Sequence, residues 1–203
     1  MKPNKSNLAK LNGNATGHKI ILLSAPSRGG KNAVIAELLK DPDLRLNHII
    51  TCTTRPKRNF EIDGVHYYFK TPEEFKKLIG SGGFLEWAEF NHHLYGTPAE
   101  PVLKALTEGQ NPLIIIEVQG AKQIMEKFAG QTLSIFLKPH SLDDLRARFQ
   151  GDPNFTPVMI ESRLKTAEHE IAASKMYDYV IENAQGKLHE TVEKVKEIIL
   201  KNQ

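Results

Sequence analysis

The stretch Ile20-Ile21-Leu22-Leu23-Ser24-Ala25-Pro26-Ser27-Arg28-Gly29-Gly30-Lys31-Asn32-Ala33 decides how the chain is read. Its first four residues form a continuous apolar run, the mark of a short strand covered on both faces. Ala25 to Gly30 reads as a loop. Ala33, Val34, Leu38 and Leu39 then recur at helical spacing until Asp41-Pro42 ends the helix. A glycine-bearing loop between a strand and a helix makes an anion site, because backbone N–H groups and the helix N-terminus face outward and a lysine reaches the β/γ-phosphates. Lys31 stands in that place. The strict pattern G-x-x-x-x-G-K-[ST] is not met: Ala25 replaces the first glycine, and Asn32 replaces the hydroxyl residue that holds Mg²⁺. Read alone, the same residues also describe a glycine turn with a solvated lysine.

Outward from this stretch the rhythm repeats. Leu113-Ile114-Ile115-Ile116 and Leu133-Ser134-Ile135-Phe136-Leu137 read as buried strands, each followed by a helical pattern, around 120–129 and 142–149. Tyr179-Val180-Ile181 is a further short strand, and 187–201 a closing amphipathic helix. Strands alternating with helices predict an α/β fold, a three-layer α/β/α arrangement on a parallel sheet. Residues 51–97 break the rhythm and read as a small mixed insertion, with a strand at His66-Tyr67-Tyr68-Phe69. Within it, Thr71-Pro72-Glu73-Glu74 predicts a helix start: a Thr cap, proline in the first turn and Glu74 three residues on. Gly151, Pro153 and Pro157 interrupt the chain between two helices and mark a lid at about 149–160.

Composition bounds the class. The chain has 203 residues, enough for one domain that buries about 70% of its unfolded surface. The single cysteine, Cys52, excludes an intramolecular disulfide and points to the cytoplasm. The net charge of +3 is too small to argue for nucleic acid, and no apolar run approaches a membrane span. Residues 1–17 carry lysines with no apolar stretch behind them, which reads as a disordered lead-in rather than a secretory signal. The expected class is a soluble enzyme or binding domain.

Four further constellations carry chemistry. Thr51-Cys52-Thr53-Thr54-Arg55-Pro56-Lys57-Arg58 sets two arginines three apart behind hydroxyls, which suits a phosphate monoester; a solvated basic loop has the same composition. Phe84-Leu85-Glu86-Trp87-Ala88-Glu89-Phe90 alternates carboxylates with aromatics ahead of Leu94-Tyr95-Gly96-Thr97, which makes either a pocket face or an edge strand with exposed glutamates. His92 and His93 read as exposed loop residues, with no third ligand at metal spacing. Glu117 follows an apolar strand directly, where an acid points into the ligand crevice of a doubly wound sheet or lies beside a helix N-terminus. Arg146, Arg148 and Arg163 flank the expected lid, where they can neutralise a transferring phosphoryl group or form an ordinary solvated helix face.

With these motifs in this order, the sequence resembles guanylate kinase, a P-loop nucleoside monophosphate kinase family, from about Lys19 to Leu200. The stretches that carry the resemblance are TTRPKR (53–58), EIDGVHYYF (61–69), GGFLEWAEF (82–90), LYGTP (94–98), EVQGA (117–121) and YDYVIEN (177–183). The resemblance implies a P-loop core at 18–50 and 98–203, a GMP-binding insertion at about 51–97 and a helical lid. It implies that Thr51, Arg55, Arg58, Tyr67 and Tyr95 bind the GMP phosphate, and that Glu86, Thr97 and Glu117 bind guanine. The carboxylates make physical sense, since guanine N1–H and its exocyclic amine are donors. AMP offers an acceptor at N1, and a buried mismatch of that kind costs roughly 10⁴–10⁵ in discrimination.

On the donor side, the resemblance assigns Ser27, Arg28, Gly29, Gly30, Lys31, Asn32 and Ala33 to ATP, and Asn183 to the adenine side. Lys31, Arg148 and Arg163 take the catalytic places. This chain departs from the family at Arg28, usually glycine; at Asn32, usually serine; at Ala33, usually serine or threonine; at Ile115, usually acidic; and at Asp152, which replaces a lid arginine. Asn32 is then the candidate Mg²⁺ contact, through its amide oxygen. The implied activity is transfer of the γ-phosphoryl group of ATP to GMP and dGMP in purine nucleotide metabolism. The partners are those nucleotides, not nucleic acid or membrane, and the protein is expected as a monomer or homodimer. The departures leave one alternative, a weakened kinase-like domain that binds a nucleotide or a phosphoprotein.

Overall fold

The computed structural model describes residues 17–203, so the expected disordered lead-in lies, but for Gly17, outside the described residues. The elements in chain order are β1 (Ile20–Ser24), α1 (Lys31–Leu38), β2 (Leu46–Ile49), β3 (Cys52–Thr53), β4 (Tyr68–Phe69), α2 (Pro72–Gly80), β5 (Phe84–Phe90), β6 (His93–Pro98), α3 (Ala99–Thr107), β7 (Asn111–Ile115), α4 (Val118–Lys127), β8 (Thr132–Lys138), α5 (Leu142–Gln150), α6 (Pro157–Ala173), β9 (Tyr179–Glu182) and α7 (Leu188–Lys201). The five-stranded sheet has the order β2-β7-β1-β8-β9, and the four-stranded sheet the order β4-β3-β6-β5. The large sheet pairs β2 with β7 and β8 with β9 in parallel, as the strand–helix alternation predicts. No helix among the described residues is long and apolar enough to cross a membrane.

The chain forms two compact units whose boundary falls inside β1. The first runs to Ile21 and resumes over Arg45–Thr132. It holds the whole small sheet, which is mixed: β3 runs parallel to β4 and antiparallel to β6. Phe75 of α2 stacks on Phe84 of β5 at 4.5 Å between ring centroids, and Cys52 joins them in the core beneath this sheet. Burial pushes the Cys52 thiol up to about 11, so this cysteine packs as a small apolar residue.

The helix start at Thr71 is as the sequence predicts. The Thr71 hydroxyl accepts from the Glu74 N–H, and the Glu74 carboxylate accepts from the Thr71 N–H at 2.8 Å. The strand expected at 66–69 is shorter, covering Tyr68–Phe69, because the chain at 63–67 is held as a turn, with Gly64 N–H donating to the Tyr67 carbonyl.

The second unit comprises Leu22–Leu44 and Leu133–Gln203. Helices α5 and α6 pack through Leu145, Phe149, Ile160, Leu164 and Ala167. The stretch expected as the lid, at about 149–160, comprises the end of α5, the segment that links it to α6 and the start of α6. Residues 151–156 are not helical, and Thr156 caps α6 by accepting from the Met159 N–H. Tyr177 donates its hydroxyl to Ser24 at 2.7 Å, which ties the chain leading into β9 to the end of β1.

Candidate active site

Each unit carries one cluster of the residues that the sequence singled out. In the first unit the hairpin β5–β6 sets the geometry. Its turn is Asn91-His92, both at positive φ (51° and 62°), the backbone that closes a two-residue hairpin in register with strand twist. Phe90 then faces His93, and the ladder places Glu86 opposite Thr97. His93 is thus a strand residue and not, as expected, an exposed loop residue; His92 occupies the exposed turn with Asn91.

Glu86 is 7% exposed, and the Thr97 hydroxyl donates to its carboxylate at 2.6 Å. Burial, only partly offset by Thr97, raises the Glu86 pKa above the ordinary carboxylate value. The other carboxylate of the same strand, Glu89, is exposed, so β5 is at once a pocket wall and an edge strand. Glu117 sits at the N-cap of α4, just beyond β7, and its side chain makes no cap hydrogen bond. Ile115 is the last residue of β7.

Around Arg55 the same unit builds a cationic cluster. The Glu61 carboxylate takes both guanidinium nitrogens of Arg55, at 3.0 and 2.7 Å, and accepts the Arg58 backbone N–H at 2.8 Å. The Tyr67 and Phe69 rings face the guanidinium at 5.5 and 5.8 Å. Tyr95 lies edge-on to Tyr67 at 6.1 Å. Glu61, and behind it the Tyr95 hydroxyl, raise the Arg55 pKa against the cost of burial. Burial first, then the nearby Tyr95 and Glu117, raises the Tyr67 pKa. Thr51 is half-buried, and its carbonyl accepts from the Tyr68 N–H at 2.8 Å. Arg55, Tyr67 and Tyr95 are therefore drawn together, with Arg58 tethered to them by its backbone.

In the second unit the loop after β1 is the organising feature. Gly30 has φ +88°, and a Cβ there would lie 2.4 Å from the Asn183 amide nitrogen, so only glycine fits. Asn183 is buried and donates that amide to the Gly29 carbonyl at 2.8 Å. Its side chain braces the loop, a contact that the sequence did not anticipate. Lys31 folds back, with Nζ donating to the Ala25 carbonyl at 2.6 Å. Ser27 and Arg28 are exposed, and Asn32 and Ala33 present exposed side chains in the first turn of α1.

Arg148 of α5 donates to the carbonyls of Arg28 and Asn183, at 3.1 and 3.2 Å, and to Gln185 at 3.1 Å. The three arginines that the sequence grouped are thereby separated. Arg148 reaches the loop, Arg146 pairs instead with Glu161 of α6, and Arg163 is half-buried along α6. Arg28 pairs with Asp152 and lies 5.5 Å from the Phe155 ring centroid.

No group of three or more His, Cys, Asp or Glu among the described residues is placed to hold a metal ion. Two residues escaped the sequence reading. Glu61 lies inside a quoted motif but shows its role only through its bonds. Gly120 is named by packing, since a Cβ there would meet Glu86 Oε2 at 2.8 Å.

The guanylate kinase family model matches residues 17–202. A guanylate kinase of Mycoplasmoides gallisepticum is 42% identical over 182 residues, covering 90% of this chain and 92% of that protein. One of Bacillus cereus is 44% identical over 181 residues, covering 89% and 87%. The crystal structure of guanylate kinase from Anaplasma phagocytophilum superposes with a TM-score of 0.75 at 31% identity, covering 92% of this chain and 86% of that one.

Proposed function

The chain belongs to the guanylate kinase family and catalyses ATP-dependent phosphorylation of GMP, and we propose that the two clusters divide that work between acceptor and donor. A GMP phosphate oxygen attacks the γ-phosphorus of ATP in line. The bond from that phosphorus to the β,γ-bridging oxygen breaks, and GDP and ADP leave. No protein nucleophile is required; positioning and charge neutralisation lower the barrier.

On the acceptor side, the cluster of Arg55, Arg58, Tyr67, Tyr95 and Thr51 holds the monophosphate. Glu86, Thr97 and Glu117 accept from the guanine N1–H and exocyclic amine. The observation that carries this reading is the Glu86–Thr97 pair. A buried carboxylate with a raised pKa is costly to keep unless a ligand supplies donors to it. dGMP is proposed as a second acceptor beside GMP.

On the donor side, the 27–31 backbone and Lys31 take the ATP phosphates at the N-terminus of α1. Arg148, already donating to the loop carbonyls, and Arg163 turn donors to the transferring group. Mg²⁺ bound with ATP would supply further charge neutralisation, and Asn32 is the residue that would hold it through its amide oxygen. The core, insertion and lid suggested by the sequence are the functional parts, working in the cytoplasm. Nothing favours the alternative of a binding module, and the relatives matched over nine-tenths of the chain carry enzyme names.

The test is a coupled ADP-release assay with GMP, dGMP, AMP, CMP and UMP, run beside calorimetric GMP binding. Turnover is expected with GMP and dGMP and not with the others. Tight GMP binding without turnover would overturn the reading.

A further inference from the structure

Glu61 is one of two buried carboxylates among the described residues of the first unit, 5% exposed, and no step described above uses it. Both its oxygens are engaged. One accepts from Arg55 Nη2 at 2.7 Å; the other accepts from Arg55 Nη1 at 3.0 Å and from the Arg58 backbone N–H at 2.8 Å. Its bonds therefore reach the two arginines of the motif and none of the base-side residues Glu86, Thr97 and Glu117. A fork-to-fork pair fixes the plane of a guanidinium as well as its position. The same guanidinium is boxed by the Tyr67 and Phe69 rings, and its Nη1 also donates to the Pro56 carbonyl at 2.7 Å. One edge of Arg55 is thus spent on the protein, and what remains is aimed rather than free to rotate.

We propose that Glu61 is a positioning residue for the acceptor phosphate: it orients the Arg55 fork and the Arg58 backbone so that a monophosphate dianion is received, while recognition of the base proceeds without it. The proposal rests on the acceptor reading above. Burial disfavours a charged carboxyl here, yet the bonds from Arg55 and Arg58 outweigh it and hold Glu61 below the usual carboxylate range. The effect is preorganisation: side chains fixed before the ligand arrives need not be ordered when it binds.

The discriminating probe is guanosine, which has the base and lacks the phosphate. Calorimetric affinities for GMP and guanosine are compared in the full-length wild type, Glu61→Gln and Glu61→Asp. Gln keeps the shape but turns an amide donor toward the Arg55 donors; Asp keeps the charge but falls short by one methylene. In Glu61→Gln, GMP binding should weaken about tenfold or more, with guanosine and ATP affinities within about twofold of wild type. Glu61→Asp should fall between, and it decides the matter should the Gln variant fail to fold. Equal losses for GMP and guanosine, or no loss for either, would overturn the proposal. A wild type that binds guanosine as tightly as GMP would instead sink the acceptor reading itself, so the two failures are told apart.

Discussion

The Arg28 guanidinium of the phosphate loop pairs with the Asp152 carboxylate of the turn between α5 and α6. The resemblance to guanylate kinase marks both positions as departures, a cation where glycine is usual and an anion where arginine is usual. In the folded protein the two departures are one contact. The cation missing from the turn at 152 is supplied to the same neighbourhood from the loop, and it also lies over Phe155. Hydrogen bonds from Asn154, first its N–H and then its side chain, together with Arg28, hold Asp152 below the usual carboxylate range.

Replacing Arg28 by glycine should separate stability from activity. Arg28 sits at φ +63°, where an L-residue carries a strain of roughly 1–2 kcal/mol that glycine escapes. Glycine in turn loses about 0.5–1 kcal/mol through the entropy of its unfolded chain. The exposed ion pair contributes little against salt and solvent. The melting temperature of Arg28→Gly should therefore stay near or slightly above wild type, while kcat falls and the ATP KM rises. A variant as fast as wild type would show that the loop cation takes no part in phosphoryl transfer.

Asn32 should set the Mg²⁺ requirement. An amide oxygen is a hard ligand but a bulkier one than a serine hydroxyl, and it stands in the exposed first turn of α1. Asn32→Ser is expected to shift the Mg²⁺ concentration that gives half-maximal activity, or kcat at saturating Mg²⁺. Superimposable Mg²⁺ titrations of the two enzymes would place residue 32 off the metal.

Glu86 should couple GMP binding to protons. Its folded pKa is raised, chiefly by burial, so the folded state holds its proton to a higher pH than the unfolded chain does. The sign follows: the stability contributed by the protonated form is fully present below the unfolded carboxylate pKa. It is lost as pH rises through the raised folded value. Glu86→Gln removes that loss, so the ligand-free variant should be at least as stable as wild type at neutral pH, with the advantage vanishing in acid. The same change should abolish selective GMP binding, because an amide nitrogen then faces the guanine donors. In the wild type, GMP requires the ionised form, so its affinity should fall as pH drops through the raised pKa. Calorimetry in buffers of differing ionisation enthalpy should detect proton release on guanosine binding to the wild type, where no phosphate proton contributes; heats independent of the buffer would overturn the coupling.

What was legible in the sequence was what is local. The Thr71–Glu74 capping box spans four residues and needs no partner from elsewhere, and it formed as read. The apolar runs at 20–23 and 133–137 announce strands because both faces of a parallel strand are covered. Strand β2, Leu46-Asn47-His48-Ile49, has only four residues, two adjacent ones polar, and carried no such signal. The β5–β6 hairpin was hidden because its turn, Asn91-His92, lacks the glycine that usually announces positive φ. Hence Glu86 and Thr97 were grouped by resemblance, while their contact follows from a register that only the fold reveals. Arg28 and Asp152 are 124 positions apart, and no periodicity links them. Arg146 looked equivalent to Arg148, yet helix geometry turns one toward Glu161 and the other toward the loop.

Gly120 should prove a base-side residue without bearing a side chain. It lies buried in the first turn of α4, where a Cβ would meet Glu86 Oε2 at 2.8 Å and two carbons of Ile116 at 2.9 Å. Ile116 cannot swing away freely, since it is itself buried. Gly120→Ala must therefore displace Glu86 or the helix, an overpacking that costs about 1–3 kcal/mol of stability. Because the displaced group is the proposed guanine acceptor, GMP and guanosine should weaken together, by roughly tenfold or about 1.4 kcal/mol. That is the opposite of the pattern expected at Glu61, where the phosphate alone is affected. Measuring GMP and guanosine against both variants thus maps which wall of the acceptor pocket each residue supports. Unchanged guanosine affinity in Gly120→Ala would mean that Glu86 does not face the base.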